Sequence, residues 1–440
     1  MKNFKSKFMI GAATAAHQVE GNNIYSDYWV QENIKHSNFN EPSLDAVDHY
    51  NRYEEDIKYM AEAGLNTYRF SIEWARIQPE ADSWIEEEVN HYKDVIACCK
   101  RNGITPIVTM HHFTSPKWLI SQGGWENPDV VEKFASYCRR LVKEIGNEIE
   151  YVCTINEANM RLQLAALIKD MMKRMMGSNS QLERKNNESN VQVGINMMPE
   201  NIKLNMMETA EAFGIKDPTK VHTFVSQCTP EGDILVMKAH EAARDAIKEE
   251  CPHLKVGLTL SLHDMQPDLG GEKLAEKEWD EEFLHYLPYI KNDDFLGVQC
   301  YTRKRFNENG TIVASDNERK TQMGYEDYPL GIVNVVRAVA KDYHGDIIVT
   351  ENGIATDDDN RRIEFIKEAL EGIYECIDEG IPVKGYMYWS LLDNFEWQKG
   401  YSMTFGLIGV DRSTQKRYPK ESLKILGGFR NHLINKVGDK

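Results

Sequence analysis

The sequence has too little positive charge for a protein that binds nucleic acid or an anionic membrane. It contains 52 Lys and Arg residues against 69 Asp and Glu residues, which gives a formal net charge of −17 over 440 residues. An acidic surface repels phosphate backbones and anionic lipids, so neither is expected as a partner. The same charge balance does not favour one neutral ligand over another.

Long apolar runs are also missing. No stretch approaches the about 20 residues that a membrane-spanning helix requires. The apolar segment from Phe8 to Ala16 is short, is interrupted by Gly11 and carries no convincing cleavage site, so it does not predict a secretory signal. These absences favour a cytoplasmic enzyme with no membrane partner.

Cysteine pairs at metal-binding or redox spacing are absent. The eight cysteines include no Cys-x-x-Cys motif and no Cys/His grouping typical of a metal site. Scattered cysteines are typical of a reducing compartment, where the side chain behaves as a small apolar group. We therefore expect no metal, and nothing in the sequence implies an organic cofactor. The cysteines are Cys98, Cys99, Cys138, Cys153, Cys228, Cys251, Cys300 and Cys376.

The sequence does contain apolar and amphipathic segments that alternate along its length. Hydrophobic residues make up 41% of the chain and charged residues 28%, which describes a globular protein able to bury a large core. Repeated strand–helix units predict an α/β fold, a single-domain (β/α)8 TIM barrel over residues 1–440. The predicted strands lie near residues 8–14, 64–72, 105–112, 150–157, 256–262, 295–301, 346–351 and 384–390. The predicted helices lie near residues 51–63, 88–102, 129–146, 233–251, 333–343 and 361–379.

Two of the predicted strands end in a glutamate. The apolar segment 149–155 turns polar at Asn156 and Glu157, and the segment 346–350 is followed by Glu351. Active sites of such barrels lie at the carboxyl ends of the strands, so these glutamates are candidates for a catalytic acid and a nucleophile. Two ordinary surface glutamates are the alternative interpretation, and the asparagine beside each argues against it.

Polar and aromatic side chains are also predicted at the ends of the other strands. Amide, imidazole and carboxylate groups can hydrogen-bond hydroxyls, and indoles can stack on a flat apolar face, which suits a sugar ring. Hydrolysis of a glycosidic bond needs one protonated and one ionised carboxyl group. A cation keeps a nearby carboxyl ionised, and Arg69 is the candidate partner of Glu351. The other side chains of this set are Gln18, His112, Tyr301, Trp389, Glu396 and Trp397.

At these residues the sequence resembles glycoside hydrolase family 1, the retaining β-glycosidases. The segment 154–158 resembles the family motif T-x-N-E-P, and the segment 349–353 resembles its motif I/V-T-E-N-G. The segments 69–71, 48–50 and 389–397 match further signatures of the family. Several motifs in the right order make a chance agreement very improbable.

The resemblance implies roles for individual residues. Glu157 would be the general acid/base and Glu351 the nucleophile, with Arg69 and Tyr301 beside Glu351. Trp389 would form the floor of the sugar subsite. The residues expected to bind the sugar hydroxyls are Gln18, His112, Asn156, Glu396 and Trp397.

The region 158–225 departs from the family pattern. About a hundred residues separate the fourth and fifth predicted strands, and nine of the chain's 18 methionines lie between Met160 and Met207. We expect this Met-rich region to border the aglycone side of the site and to be partly mobile. Two interpretations stay open, either a packed helix with a mobile loop or an apolar wall that contacts a hydrophobic leaving group.

The predicted function is that of an exo-acting retaining β-glycosidase, with β-glucosidase as the best assignment. The substrate would be a small β-glycoside or a short oligosaccharide. Glu396 and Trp397 stand where phospho-sugar members carry phosphate-binding residues, so an unphosphorylated sugar is favoured. The alternatives are a transglycosylase or an enzyme for bulky apolar aglycones, and, from another class, an inactive glycan-binding barrel. The sequence leaves a homo-oligomer open.

Overall fold

The computed structural model describes residues 8–166, 192–196, 201–226, 228–312, 314–315 and 318–436. Parallel strands form a central sheet, and two smaller sheets accompany it. In chain order the strands are β1 (Met9–Ala13), β2 (Thr67–Ser71), β3 (Thr105–His111), β4 (Tyr151–Ile155), β5 (Lys255–Gly257), β6 (Thr259–Ser261), β7 (Asp264–Pro267), β8 (Phe295–Gln299), β9 (Arg303–Asn307), β10 (Gly310–Ile312), β11 (Asp346–Asn352), β12 (Val383–Trp389), β13 (Ile408–Asp411) and β14 (Lys416–Pro419).

The central sheet closes on itself. Its hydrogen-bonded order is β5–β4–β3–β2–β1–β12–β11–β8–β6, and the neighbouring strands are parallel. β5 and β6 are two halves of one barrel strand, separated only by Leu258. The two ends of the order are therefore consecutive in the chain, and the sheet is a (β/α)8 barrel. This confirms the predicted fold class and the eight predicted strands.

The barrel strands are buried on both faces, as expected when helices cover the outside and side chains fill the inside. Every residue of β1, β2, β6 and β8 is buried. Some polar groups inside the barrel are paired with one another. Arg69 in β2 donates from Nε to Oγ1 of Thr109 in β3 at 3.1 Å, so the cation is held at a defined position in the interior.

Helices connect the strands. In chain order they are α1 (Ala16–Val19), α2 (Asp27–Glu32), α3 (His49–Ala63), α4 (Trp74–Ile77), α5 (Glu86–Arg101), α6 (Lys117–Ser121), α7 (Val130–Ile145), α8 (Ile202–Ala212), α9 (Pro230–Glu250), α10 (Glu272–Glu282), α11 (Leu287–Ile290), α12 (Gly331–Val339), α13 (Asp359–Asp378) and α14 (Glu421–Lys436). Residues 160–166 are also helical. Within the described ranges, no helix is long and apolar enough to cross a membrane.

All six predicted helices are present, and their ends differ from the prediction for local reasons. α9 begins at Pro230 rather than at residue 233 because the Thr229 hydroxyl accepts from the N–H of Gly232 at 3.0 Å and caps the helix. A proline at the first helical position lacks only an N–H that would be unpaired there. The helices α10 and α14 were not predicted. In α10 charged residues outnumber apolar ones, so its helical periodicity is weak.

The region 158–225 is only partly described. Residues 160–166 form a helix, residues 192–196 lack regular secondary structure, and α8 follows. Met160 is buried, whereas Met206 and Met207 are exposed. The other six methionines of the region lie outside the described residues, so both interpretations of the Met-rich region remain untested.

Candidate active site

The two glutamates lie at the carboxyl ends of their strands. Glu157 follows β4 and Glu351 lies near the end of β11. Both are almost completely buried, with 2% and 3% of their surface exposed. Glu157 has a φ of 45°, and its N–H donates to Oγ1 of Thr259 at 2.8 Å. A non-glycine residue in this left-handed conformation is uncommon and is often found where a side chain must be aimed at a site.

Glu351 is held by two donors. Its Oε1 accepts from Nη1 of Arg69 at 2.6 Å, and its Oε2 accepts from the hydroxyl of Tyr301 at 2.6 Å. Burial raises the pKa of Glu351, while the Arg69 guanidinium and the Tyr301 hydroxyl oppose that rise. Both contacts favour the charged form, so Glu351 is the carboxyl that ionises more readily.

Glu157 has the opposite environment. Burial, and then the negative charge of Glu351, raise the pKa of Glu157 well above its usual range. Its Oε2 is buried without a hydrogen-bond partner among the described residues. Two neighbouring carboxyls with such different surroundings divide into a protonated and an ionised member, which is the arrangement that acid catalysis beside a nucleophile requires.

Arg69 also orients Asn156. Its Nη2 donates to Oδ1 of Asn156 at 2.5 Å, and because a guanidinium only donates, the other amide atom of Asn156 is the NH2 group. That NH2 group faces Nε2 of His112 at 3.1 Å. Burial, and then the charge of Arg69, hold the pKa of His112 well below its usual range, so the ring is neutral. His112 therefore accepts at Nε2 and carries its proton on Nδ1, which is buried and has no partner among the described residues.

Gln18 and Glu396 form a second polar group at the site. The Gln18 amide donates from Nε2 to the carbonyl of Phe395 at 2.7 Å and contacts Oε2 of Glu396 at 3.4 Å. Oε1 of Gln18 is buried without a partner among the described residues and is available to a hydroxyl donor. Burial raises the pKa of Glu396 to about 8, although the N–H of Gly194 donates to its Oε1 at 3.1 Å.

Aromatic rings lie beside these polar groups. The ring of His112 stacks on Trp389 with centroids 5.7 Å apart and on Trp397 with centroids 6.0 Å apart. Trp389 ends β12, and both tryptophans are buried. The structure therefore places every predicted site residue on the carboxyl-terminal side of the barrel, in contact with at least one other member of the set.

Some site contacts were missed from the sequence. Gln299 donates from Nε2 to Oδ1 of Asn156 at 2.8 Å, and Thr259 donates to the same oxygen at 3.2 Å. Gln299 ends β8, so its place at the carboxyl end of a predicted strand was the available signal. Gln192 and Gly194 also reach the site, but they lie in a stretch without periodicity or motif, so nothing in the sequence indicated them.

Three further acidic residues, Glu20, Glu73 and Asp393, accept hydrogen bonds from other side chains of the protein. Glu20 accepts from Arg76 at 2.8 Å, Glu73 accepts from the Thr114 hydroxyl at 2.7 Å, and Asp393 accepts from Lys420 at 2.8 Å. Over the residues that the structure describes, no group of three or more His, Cys, Asp or Glu side chains is placed to hold a metal ion.

Comparisons with known proteins all find similarity to glycoside hydrolases. The glycosyl hydrolase family 1 profile matches residues 1–170 and 285–432. A 1,4-beta-D-glucan glucohydrolase of Thermotoga neapolitana is 30% identical, and the alignment covers 96% of this chain and 97% of that protein. The crystal structure of beta-glycosidase BGL167 has 39% identity and a TM-score of 0.85, with 97% of both chains covered. A beta-glucosidase from Thermotoga maritima in complex with glucoimidazole has 26% identity and a TM-score of 0.76, with 98% of this chain and 100% of that chain covered.

Proposed function

The chain belongs to glycosyl hydrolase family 1, and we propose that it is a retaining β-glucosidase that removes terminal, unphosphorylated β-D-glucosyl residues. The observation that carries the assignment of roles is the contrast between the two buried carboxyls. Glu351 is bound by Arg69 and Tyr301, whereas Glu157 has no ion pair among the described residues, and burial and the charge of Glu351 raise its pKa.

In the first step, Glu351 attacks the anomeric carbon of the glycoside through a carboxylate oxygen. The bond between that carbon and the leaving oxygen breaks, and Glu157 gives its proton to the leaving oxygen. A glycosyl ester on Glu351 and a free alcohol result. Arg69 keeps Glu351 ionised before attack, and the high pKa of Glu157 keeps its proton available.

In the second step, Glu157 is ionised and takes a proton from a water molecule. The water oxygen attacks the anomeric carbon, and the ester bond to Glu351 breaks. The sugar leaves with the configuration it had in the substrate, and both glutamates return to their starting protonation states. An alcohol in place of water gives transglycosylation by the same step, so this alternative needs no further residue.

The sugar would be bound by the polar atoms that the protein leaves unpaired. Oε1 of Gln18 accepts from a hydroxyl, and the N–H at Nδ1 of His112 donates to one. Glu396 supplies a carboxyl group, and Trp389 supplies a flat apolar face for the ring. The Glu396 carboxyl, which is bound by Gln18 and Gly194, offers no cation to a phosphate group, so a neutral sugar is favoured.

The aglycone and the compartment also remain proposals. The region 158–225 reaches the site at Gly194, which supports its position on the border of the pocket. An apolar aglycone received by its methionines stays the second candidate. All eight cysteines are free thiols, which supports a reducing compartment such as the cytoplasm.

Hydrolysis of a panel of p-nitrophenyl β-glycosides tests the proposal. We expect release of nitrophenol from the β-glucoside, and a loss of several orders of magnitude in kcat for Glu351→Gln. Glu157→Gln should lose less with this good leaving group, and added azide should restore its turnover as a β-glycosyl azide. A wild-type protein that binds glucose but cleaves no member of the panel would instead be a glycan-binding barrel.

A further inference from the structure

Residues 192–196, which we call the strap, hydrogen-bond to segments at the carboxyl ends of β6, β8 and β12. At one end Gln192 lies against the chain that follows β6 and β8. At the other end the carbonyl of Gly194 accepts from the N–H of Gln398 at 2.8 Å, and the N–H of Asn196 donates to Oε1 of Gln398 at 2.7 Å. The strap lies within the segment 171–284, which the family profile does not match.

Gln192 uses both ends of its buried amide. Its Oε1 accepts from the backbone N–H of Tyr301 at 2.7 Å. Its Nε2 donates to Oγ of Ser261 at 3.2 Å and to the carbonyl of Leu262 at 3.4 Å. The amide orientation follows from the backbone partners, because an N–H only donates and a carbonyl only accepts.

One partner of Gln192, Tyr301, binds the nucleophile directly. The Tyr301 hydroxyl donates to Oε2 of Glu351 at 2.6 Å. A single residue thus lies between the Gln192 amide and the carboxylate of Glu351.

We propose that Gln192 is a positioning residue for the nucleophile Glu351, acting through Tyr301. The inference rests on the proposed function and assigns to the strap a part in it. Without the Gln192 amide, the backbone N–H of Tyr301 loses its acceptor. The hydrogen bond from the Tyr301 hydroxyl that favours ionised Glu351 then weakens, so the pKa of Glu351 rises.

The test compares Gln192→Met with Asn196→Ala in the full-length protein. Gln192→Met keeps the volume of the side chain and removes all of its hydrogen bonds. Asn196→Ala is the matched control, since Asn196 binds Asn38 and Gln398 at the other end of the strap and contacts neither Tyr301 nor Ser261. The readouts are the saturating rate at which a 2-deoxy-2-fluoro-β-glucoside inactivates the enzyme, the pH profile of kcat/KM, and Tm.

For Gln192→Met we expect inactivation about tenfold slower, the loss that one hydrogen bond represents. The acid limb of the pH profile, which reports Glu351, should move to higher pH. Asn196→Ala should lower Tm and leave the rate and both limbs unchanged. Gln192→Ala, measured in the same way, replaces Gln192→Met if methionine does not fit.

Three results would overturn the inference. If the folded Gln192 variants are inactivated at the wild-type rate and their acid limb of the pH profile stays in place, Gln192 does not position Glu351. Equal shifts in Asn196→Ala, or loss of the fold in both Gln192 variants, would give the strap a structural role only. A wild-type protein inactive on every glycoside would instead refute the proposed function, so the two failures are distinguishable.

Discussion

Replacing Tyr301 with phenylalanine removes one atom from the site and should change the pH at which the nucleophile ionises. The Tyr301 hydroxyl donates to Oε2 of Glu351 at 2.6 Å, and both groups are buried. A hydrogen bond to a charged group contributes about 1.5–3 kcal/mol. Because the ionised form loses this hydrogen bond, Tyr301→Phe should raise the pKa of Glu351.

The direction of the effect follows from the form that reacts. Glu351 attacks only when ionised, so the acid limb of kcat/KM reports its pKa in the free enzyme. A raised pKa moves that limb to higher pH, and the ratio of wild-type to variant activity grows as the pH falls, to about 10–100-fold. The activity loss on the plateau between the limbs should be smaller.

The assay is kcat/KM for p-nitrophenyl β-glucoside as a function of pH, for the wild type, Tyr301→Phe and Tyr137→Phe. Tyr137 is the matched control, because its hydroxyl is buried without a partner among the described residues and lies on α7 outside the barrel. An acid limb that stays in place in Tyr301→Phe, or that moves as far in Tyr137→Phe, would refute the stabilisation of ionised Glu351 by Tyr301.

Three further predictions concern other contacts. Because the pKa of Glu396 is about 8, the affinity for a neutral glucose-like inhibitor should rise with pH near that value, since an ionised carboxylate accepts stronger hydrogen bonds. Titration calorimetry of the wild type should show this rise, and Glu396→Gln should lack it. Gly194→Ala should raise KM more than it lowers kcat, because the new Cβ would overlap the carbonyl oxygen of Glu396 and lie 2.8 Å from its Oε1; Gly428→Ala, with open space around it, should change neither. Arg417→Met should cost about 3–5 kcal/mol of stability, because it leaves Asp56 buried without the guanidinium that binds it at 2.8 and 2.9 Å. Denaturant unfolding measures this cost, and an unfolding midpoint equal to that of the wild type would contradict it.

The sequence predicts the barrel because each strand–helix unit is encoded locally. Apolar runs such as 105–111 and 346–350 need no distant partner to be recognised as strands. The motifs around Glu157 and Glu351 likewise lie within single segments, and their position at strand ends follows from the fold. The division of the fifth strand at Leu258 was not predicted, because apolar residues alternate without a break from Val256 to Leu262.

The contacts that distinguish the two glutamates join distant parts of the chain, so the sequence could only suggest them. Arg69 was a candidate partner of Glu351, but the 2.6 Å contact spans 282 positions. The tautomer of His112 depends on Asn156 and on Arg69 in turn. No local sequence pattern predicts the position of the strap, because hydrogen bonds to residues at the ends of three different strands hold it there.

Covalent trapping is the most direct test of the central claim that Glu351 forms a glycosyl ester. Incubation with 2-deoxy-2-fluoro-β-D-glucosyl fluoride slows hydrolysis of the ester, because the fluorine destabilises the oxocarbenium-like transition states. Peptide mass spectrometry should then find one fluoroglucosyl group per chain, on the peptide that carries Glu351. An adduct on another carboxylate, or no adduct from a protein that still hydrolyses p-nitrophenyl β-glucoside, would contradict the account.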